Sequence, residues 1–181
     1  MAERARHILI DGRSGSGKTE FALAIAEDWP EAQLVRLDDL YPGWDGLDQG
    51  SAQVPLILTA FRYRSWDWAT DRSGKWHELD RDRPIIVEGV GALSRDSRAL
   101  ADYAIWVELE PDARKRRALA RDGEAYAPHW DRWAAQEKAF IARESPTELA
   151  DVIIDGAQVT QDVARSLSGW RALLDPARVG E

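Results

Sequence analysis

The sequence predicts an α/β domain in which helices lie on both sides of a five-stranded parallel sheet. Short β-rich runs alternate along the chain with longer segments of helical periodicity, which is the pattern of strands joined by crossover helices. Residues 84–87 are almost entirely apolar, which is typical of a strand buried on both faces. With 181 residues, 44% of them hydrophobic, the chain is long enough to bury a full core. We therefore expect one domain over residues 1–181.

The predicted strands and helices follow each other along most of the chain. The strands cover residues 7–10, 34–37, 84–87, 103–109 and 152–154. The helices cover residues 18–29, 51–61, 97–101, 111–122, 131–143 and 159–174. We expect Ser51 to be an N-cap, because Pro55 then falls in the first turn of its helix, where proline is tolerated. Residues 63–79 fit neither pattern and contain three tryptophans around a turn at Ser73-Gly74.

Charge and composition disfavour several classes of protein. The chain carries 24 Lys and Arg against 32 Asp and Glu, a net charge of −8, whereas proteins that bind nucleic acids or anionic membranes are usually basic. It has no cysteine, which excludes disulfides and thiolate catalysis, and its 3 histidines are scattered. No run approaches the roughly 20 apolar residues of a membrane span. We expect a cytoplasmic monomer or homodimer with no nucleic-acid or membrane partner.

A phosphate-binding motif lies between the first predicted strand and the first predicted helix. The G-x-x-x-x-G-K-[ST] pattern is complete, and its members are Gly12, Arg13, Ser14, Gly15, Ser16, Gly17, Lys18 and Thr19. Glycines let backbone N–H groups turn inward around phosphates, and the helix N-terminus adds its positive dipole end. Lys18 is placed to contact the β- and γ-phosphates during catalysis, and Thr19 to bind Mg²⁺ through its hydroxyl. The motif predicts ATP and Mg²⁺ as cofactors and the P-loop NTPase fold.

Further short elements follow this P-loop in order. They are Leu37-Asp38-Asp39-Leu40-Tyr41, then Val87-Glu88-Gly89, then the helix that contains Asp112, Arg114, Arg121 and Asp122, and finally residues 150–156. With these elements the chain resembles the uridine kinase and phosphoribulokinase branch of P-loop small-molecule kinases, from His7 to about Gly156. The resemblance implies ATP-dependent transfer of the γ-phosphoryl group to a hydroxyl of a small metabolite, most readily a nucleoside. It also implies a helical lid over residues 121–133.

Asp38 is the candidate catalytic base. A hydroxyl has a pKa far above 7, so a kinase positions a carboxylate to accept its proton as the phosphoryl group moves. Asp38 directly follows the second predicted strand, and ligands of such sheets bind outside the carboxyl ends of the strands. The resemblance implies the same role, since Asp38 aligns with the aspartate of the D-S-F-Y element of uridine kinases. Asp39 is a candidate for binding substrate or magnesium-bound water, and turn capping is the alternative for both residues.

Glu88 and a row of arginines complete the predicted phosphate site. Glu88 follows an apolar strand, where an ionised group is costly unless it is paired or near a metal, and the resemblance implies a place near Mg²⁺. Arg114, Arg117 and Arg121 are spaced three and four residues apart, so they share one helix face. We expect Arg117 and Arg121 to stabilise the charge of the moving phosphoryl group. A hydrogen-bonded structural glutamate and a solvated basic face are the alternatives.

Aromatic and acidic residues are candidates for the acceptor site. Tyr41 and Trp44 follow the candidate base, and Asp67 lies between two tryptophans. Flat rings beside carboxylates suit a ligand with a planar ring and hydroxyls, which is the chemistry of a nucleoside. We therefore predict that substrate is bound by Asp39, Tyr41, Trp44 and Asp67. Core packing is the alternative for the aromatic side chains.

Two other functions stay open on the sequence alone. A nucleoside monophosphate kinase needs cations for the acceptor phosphate, and these could be supplied by Arg36, Arg62, Arg64 and Arg98. A regulatory module that binds ATP and hydrolyses it slowly needs no small acceptor. The chain has Glu88-Gly89 where water-activating ATPases usually carry an acidic pair, and it has no N-K-x-D element. These absences disfavour motor ATPases and GTP switches.

Overall fold

The computed structural model describes residues 7–159, and its centre is a parallel sheet. The strands of this part of the chain are β1 (His7–Asp11), β2 (Gln33–Arg36), β3 (Arg62–Asp67), β4 (Arg72–Glu78), β5 (Ile85–Glu88), β6 (Tyr103–Glu108) and β7 (Val152–Asp155). Five of them form one sheet in the order β2-β5-β1-β6-β7, and every neighbouring pair is parallel. The predicted five-stranded parallel sheet is confirmed.

Helices connect the strands. Within the described residues they are α1 (Lys18–Asp28), α2 (Leu47–Ala60), α3 (Arg95–Arg98), α4 (Pro111–Tyr126), α5 (Trp130–Glu144) and α6 (Pro146–Leu149). Among these helices there is none with the length and apolar character needed to cross a membrane. The helix predicted over residues 159–174 lies outside the described residues, except for Val159.

Helix α2 begins earlier than the sequence predicts. Ser51 is buried inside the helix and is not its N-cap, and Pro55 lies in the third turn, so both predictions are wrong. The first turn packs closely on the loop before it, because a Cβ atom at Gly50 would lie 2.4 Å from the ring of Tyr41. This tertiary contact extends the helix in the N-terminal direction, and a proline in its interior is tolerated at the cost of one backbone hydrogen bond.

The sheet separates two apolar layers. On one side, Ile8 and Ile10 of β1 pack with Phe21 and Ile25 of α1. On the other side, Leu9 lies in a larger cluster whose further members include Val54, Ile57, Trp130, Trp133 and Phe140 from α2 and α5. This alternation follows from the strand geometry, which sends successive side chains to opposite faces. Helices therefore cover both faces of the sheet, and the loops that follow the strands meet at the edge formed by the carboxyl ends of the strands.

Residues 63–79 belong to an antiparallel hairpin of β3 and β4. The predicted turn at Ser73-Gly74 is wrong, because both residues lie in β4 and the chain reverses over residues 68–71. Asp71 in this turn has a φ of 49°, a left-handed conformation that aspartate tolerates better than most residues. Every residue of β4 but one is exposed and β3 is only partly buried, so no apolar alternation marks them in the sequence.

The predicted lid, residues 121–133, is helical and is called the lid segment below. It contains the end of α4, a 3-10 helix at Ala127–His129 and the start of α5. The helical conformation is interrupted at Gly123, which has a φ of 54° and a ψ of −135°. Trp130 and Trp133 at the far end are buried in the larger core cluster. The lid segment is therefore fastened to the core at one end and interrupted by a glycine near the other.

Candidate active site

The P-loop, residues 12–19, joins β1 to α1, and its shape depends on glycine. Gly15 and Gly17 have φ values of 78° and 100°, which favour glycine. A Cβ atom at Gly15 would lie 2.1 Å from the backbone carbonyl oxygen of Arg114. The P-loop therefore curls directly against the start of α4, and its last two residues, Lys18 and Thr19, begin α1.

Asp11 ties the P-loop to the loop that follows β5. It is completely buried, and its carboxylate accepts hydrogen bonds from the backbone N–H groups of Gly12 at 2.7 Å, Gly91 at 3.1 Å and Leu93 at 2.9 Å. Burial raises the pKa of Asp11 from 3.8 to about 7, and these hydrogen bonds oppose the shift. Two loops at the strand edge are thus held together by one buried carboxyl group.

Lys18, Thr19 and Glu88 lie together where β1 and β5 end, and all three side chains are buried. The Thr19 hydroxyl donates to the Glu88 carboxylate, with distances of 3.3 and 3.4 Å to its two oxygens. Burial raises the pKa of Glu88, and the positive charges of Lys18 and Arg36 oppose this. A hydroxyl and a carboxylate are oxygen ligands of the kind that Mg²⁺ combines with phosphate oxygens. The pair therefore fits the cation that the sequence predicts.

Arg36 connects this pair to the candidate base. Its Nε donates to Glu88 at 3.2 Å, and a terminal guanidinium nitrogen lies 3.6 Å from the Asp38 carboxylate. A continuous chain of contacts thus runs from Thr19 through Glu88 and Arg36 to Asp38. The Asp38 side chain is 44% exposed, so its carboxylate is accessible at the edge of the sheet. Asp39 is exposed beside it, in the short 3-10 helix that follows β2.

A cleft of about 490 Å³ lies between the P-loop and α4. Lys18 and Thr19 line one side of it, and Arg117 and Arg121 line the other. Arg117 donates to the carbonyl oxygen of Gly156 at 2.8 Å, and Arg121 forms an ion pair with its neighbour Asp122 at 2.7 Å. The volume lies in the range of roughly 300–1,000 Å³ that is usual for ligand pockets.

Arg114 lies under the P-loop rather than in the cleft. It is buried, its Nε donates to the carbonyl oxygen of Leu109 at 3.0 Å, and Nη1 reaches the carbonyl oxygen of Ser14 at 3.4 Å. Of the three arginines on this helix face, Arg114 is therefore structural. The hydroxyl of Ser16 is also buried in this region, without a hydrogen-bond partner among residues 7–159. An unpartnered donor within a glycine-rich loop is compatible with an anionic ligand.

Arg13 and Ser14 contact α5. Nε of Arg13 donates to Glu137 at 2.9 Å, and the backbone N–H of Ser14 donates to the same carboxylate at 2.8 Å. Arg13 was predicted as a nucleotide-binding residue, and its guanidinium lies against Glu137. Arg13 would therefore affect nucleotide binding by holding the P-loop in its shape.

The predicted acceptor residues have different surroundings. Tyr41 is buried, and its hydroxyl donates to the carbonyl oxygen of Val90 at 2.7 Å. Asp67 accepts hydrogen bonds from the backbone N–H of Ala69 and from the Thr70 hydroxyl, at 3.0 and 2.6 Å. These bonds, that of Thr70 first, lower the pKa of Asp67. Both side chains thus make contacts of the kind that hold a loop in place.

Trp44 lies in a cluster of aromatic rings next to Asp38. Its ring is stacked on His129, with centroids 4.3 Å apart and planes 10° apart, and it lies nearly parallel to Tyr126 at 5.4 Å. Trp68 contacts it at 5.2 Å, and the Trp68 indole N–H donates to the backbone carbonyl of Asp38 at 2.9 Å. The cluster therefore joins the lid segment to the surroundings of the candidate base.

Asp11 and Glu137 take part in the site but were not predicted as site residues, and Arg36 was considered only as a cation for an acceptor phosphate. The sequence does indicate a role for Asp11, since it is an acidic residue between an apolar strand and the P-loop. Glu137 interrupts an apolar helix face that includes Trp133 and Phe140, and a charged residue in such a position usually has a buried partner. Nothing in the local sequence indicates the contact between Arg36 and Glu88.

Comparison with known proteins gives matches among solved structures, whereas no protein-family model and no curated protein matches this chain. A possible uridine kinase from Bacillus stearothermophilus is 19% identical, with a TM-score of 0.58 over 86% of this chain and 91% of that one. A sugar kinase from a Janibacter species is 16% identical, with a TM-score of 0.61 over 95% and 96%. A shikimate kinase from Acinetobacter baumannii, in complex with shikimate, is 16% identical, with a TM-score of 0.54 over 93% of each chain.

These structures share the architecture described above over nearly their whole length. The chain has the P-loop NTPase fold. The fold prediction made from the sequence is confirmed, and the three structures named above are described as kinases of small molecules. P-loop NTPase folds carry many chemistries, so the reaction has to be argued from the site.

Proposed function

We propose that the protein is an ATP-dependent kinase that transfers the γ-phosphoryl group of ATP to a hydroxyl group of a small metabolite. The observation that carries the proposal is the chain of contacts from Thr19 through Glu88 and Arg36 to Asp38. It places an exposed carboxylate two side chains away from the end of the P-loop. A kinase needs the carboxylate and the P-loop close together, because the acceptor hydroxyl loses its proton as it takes up the phosphoryl group.

In this proposal the P-loop holds the phosphates of ATP through its backbone N–H groups and the Lys18 ammonium. The hydroxyl of Thr19 and the carboxylate of Glu88 are the protein groups that hold Mg²⁺. When bound, Mg²⁺ neutralises negative charge on the β- and γ-phosphates. Because Glu88 is buried, its charge stays close to this site and is little screened by water.

Asp38 is proposed to accept the proton of the acceptor hydroxyl. Arg36 contacts Asp38 and so restricts the position of its carboxylate. Arg117 and Arg121, across the cleft from Lys18, are proposed to stabilise the charge that develops on the moving phosphoryl group. Their guanidinium groups are suited to phosphate oxygens because they donate in a planar fork.

The arginines that a nucleoside monophosphate kinase would use for its acceptor phosphate already have partners. Arg36 is held by Glu88, and Arg98 contacts Asp151 at 2.9 Å. Nε of Arg64 donates to the carbonyl oxygen of Gly74 at 3.0 Å, and Arg62 lies over the ring of Trp76 at 5.0 Å. Because Arg117 and Arg121 are also partnered, these contacts do not separate an acceptor phosphate from an acceptor hydroxyl, and the acceptor pools below make that distinction.

Among hydroxyl acceptors we propose a nucleoside first and a sugar or another polyol second. Trp68, which is 41% exposed, offers a flat apolar surface beside Asp38, and Trp44 supports it from the aromatic cluster. Asp39 offers an exposed carboxylate for acceptor hydroxyls. Tyr41 and Asp67 would shape the site through the loops that they hold. The compounds named for the similar structures, uridine, a sugar and shikimate, all carry several hydroxyl groups.

The proposal is tested by measuring ADP release from Mg-ATP with three acceptor pools: nucleosides, nucleoside monophosphates, and sugars with other polyols. We expect stimulation by nucleosides or by polyols, and loss of this stimulation in Lys18→Ala. Stimulation by the monophosphates alone would support the monophosphate kinase instead. Binding of Mg-ATP without stimulation by any pool would contradict a kinase for these acceptors and favour the regulatory module.

A further inference from the structure

Glu137 is a buried carboxylate that the proposed reaction does not use. It lies on α5, and its two oxygens have separate partners in the P-loop. Oε1 accepts from the backbone N–H of Ser14 at 2.8 Å, and Oε2 accepts from Nε of Arg13 at 2.9 Å. The Glu137 side chain is 1% exposed. A charge buried to this extent is costly unless its partners are well placed, so the contact fixes the position of the P-loop relative to α5.

The neighbouring residue of α5 contacts the other half of the site. Nε2 of Gln136 donates to the carbonyl oxygen of Trp44 at 2.7 Å, and its Oε1 accepts from the backbone N–H of Leu47 at 3.4 Å. Trp44 lies in the loop next to the proposed acceptor site, and Leu47 is the first residue of α2, where that loop ends. Adjacent residues of α5 thus hold the P-loop and the acceptor loop separately.

We propose that Glu137 is a positioning residue for ATP. It acts through Arg13 and Ser14, and it holds the first half of the P-loop in its phosphate-binding shape before ATP arrives. The inference rests on the proposed function only in assigning phosphates to the P-loop. An amide in place of the carboxylate turns one of the two acceptor oxygens into an NH2 donor, so one of the two groups that now donate to Glu137 would face another donor. The freed segment would then have to be ordered when ATP binds, which weakens binding.

The test is the dissociation constant of Mg-ATP for Glu137→Gln, measured by calorimetry without any acceptor. We expect it to rise about tenfold, the factor that corresponds to about 1.4 kcal/mol. Glu148→Gln, the same chemical change at an exposed position of α6, is the matched control and should leave the constant within about twofold. Gln136→Ala should raise the KM of the acceptor and not the dissociation constant of Mg-ATP.

Unchanged or tighter binding of Mg-ATP by Glu137→Gln would overturn the inference, and tighter binding would indicate that the carboxylate competes with phosphate. An equal loss in Gln136→Ala would also overturn it, because the effect would then belong to the packing of α5. If Glu137→Gln does not fold, Arg13→Gln tests the same contact and should weaken binding comparably. A tenfold loss in a protein that transfers no phosphoryl group would support the inference and count against the proposed function alone.

Discussion

The hydroxyl of Thr19 lies 3.3 Å from the carboxylate of Glu88, although the two residues are 69 positions apart in the chain. The contact exists because β1 and β5 are neighbours in the sheet, with Ile10 in register with Glu88. Parallel strands end at the same edge, so the start of α1 and the end of β5 meet there. This relationship gives the proposed Mg²⁺ ligands their common location.

The first prediction concerns Glu88. In Glu88→Gln we expect the Mg²⁺ concentration needed for half-maximal activity to rise roughly tenfold to a hundredfold, because a charged oxygen ligand becomes neutral. The measurement is phosphoryl transfer at fixed ATP over a series of Mg²⁺ concentrations. Glu20→Gln, which alters an acidic residue at the cleft wall, is the control and should shift this concentration far less. An unchanged Mg²⁺ requirement in Glu88→Gln would remove Glu88 from the proposed metal site.

The second prediction separates Asp38 from Asp39. Asp38→Asn cannot accept the hydroxyl proton, so we expect kcat to fall by roughly 10² to 10⁴ while Mg-ATP still binds. Asp39→Asn keeps the proposed base, and we expect its effect to appear in the KM of the acceptor instead. Steady-state kinetics of both variants give this comparison. Normal turnover by Asp38→Asn would show that another group is the base.

The third prediction compares two arginines of α4. Arg121→Gln should lower kcat about a hundredfold, because a cation facing the phosphates is lost from the cleft. Arg116 is exposed and is not among the residues that line the cleft, so Arg116→Gln carries the same charge change and should leave kcat nearly unaffected. Equal losses in both variants would point to the net charge of α4 rather than to a contact with the phosphoryl group.

The fourth prediction concerns pH and the free energy of unfolding. The pKa of Asp11 is about 7 in the folded protein and 3.8 as its ordinary value, so between these values the folded state binds more protons than the unfolded state. The contribution of Asp11 to stability is therefore complete below about pH 4 and is lost as the pH rises through about 7. Asp11→Asn, which resembles the neutral carboxyl group, lacks this dependence.

Urea unfolding of the wild type and Asp11→Asn at about pH 5 and about pH 8 measures this effect. We expect the stability of the wild type relative to the variant to be higher at the lower pH. Asp131→Asn, at an exposed carboxylate, should show no comparable change between the two conditions. A relative stability that is constant, or that increases towards pH 8, would contradict the raised pKa of Asp11.

The central strands of the sheet, β1, β5 and β6, could be predicted because they are buried. Residues such as Ile86 and Val87 have no exposed surface, so their apolar run is visible in the sequence. The hairpin of β3 and β4 could not be predicted in the same way, since its exposed side chains include Trp76, which is 59% exposed. The start of α2 depends on the contact between Gly50 and Tyr41, which no local preference reveals.

The site could be predicted where its chemistry is contiguous in the chain. The P-loop is eight consecutive residues, Glu88 ends β5, and Asp38 lies in the short 3-10 helix that directly follows β2. The links between these elements are contacts across the fold. Arg36 reaches Glu88 over 52 positions, and Glu137 reaches Ser14 over 123 positions. Such contacts depend on strand order and helix packing, so a local motif does not specify them.

The most direct test of the proposed kinase is the transfer of the labelled γ-phosphoryl group from Mg-ATP to nucleosides, sugars and other polyols. Mass spectrometry of the products, with ADP measured in the same samples, gives the number of phosphate esters formed per ADP. The proposed kinase should form one ester per ADP with the accepted substrate, and neither product with Lys18→Ala. Release of ADP and free phosphate without any ester would contradict it, because the P-loop would then serve hydrolysis rather than transfer.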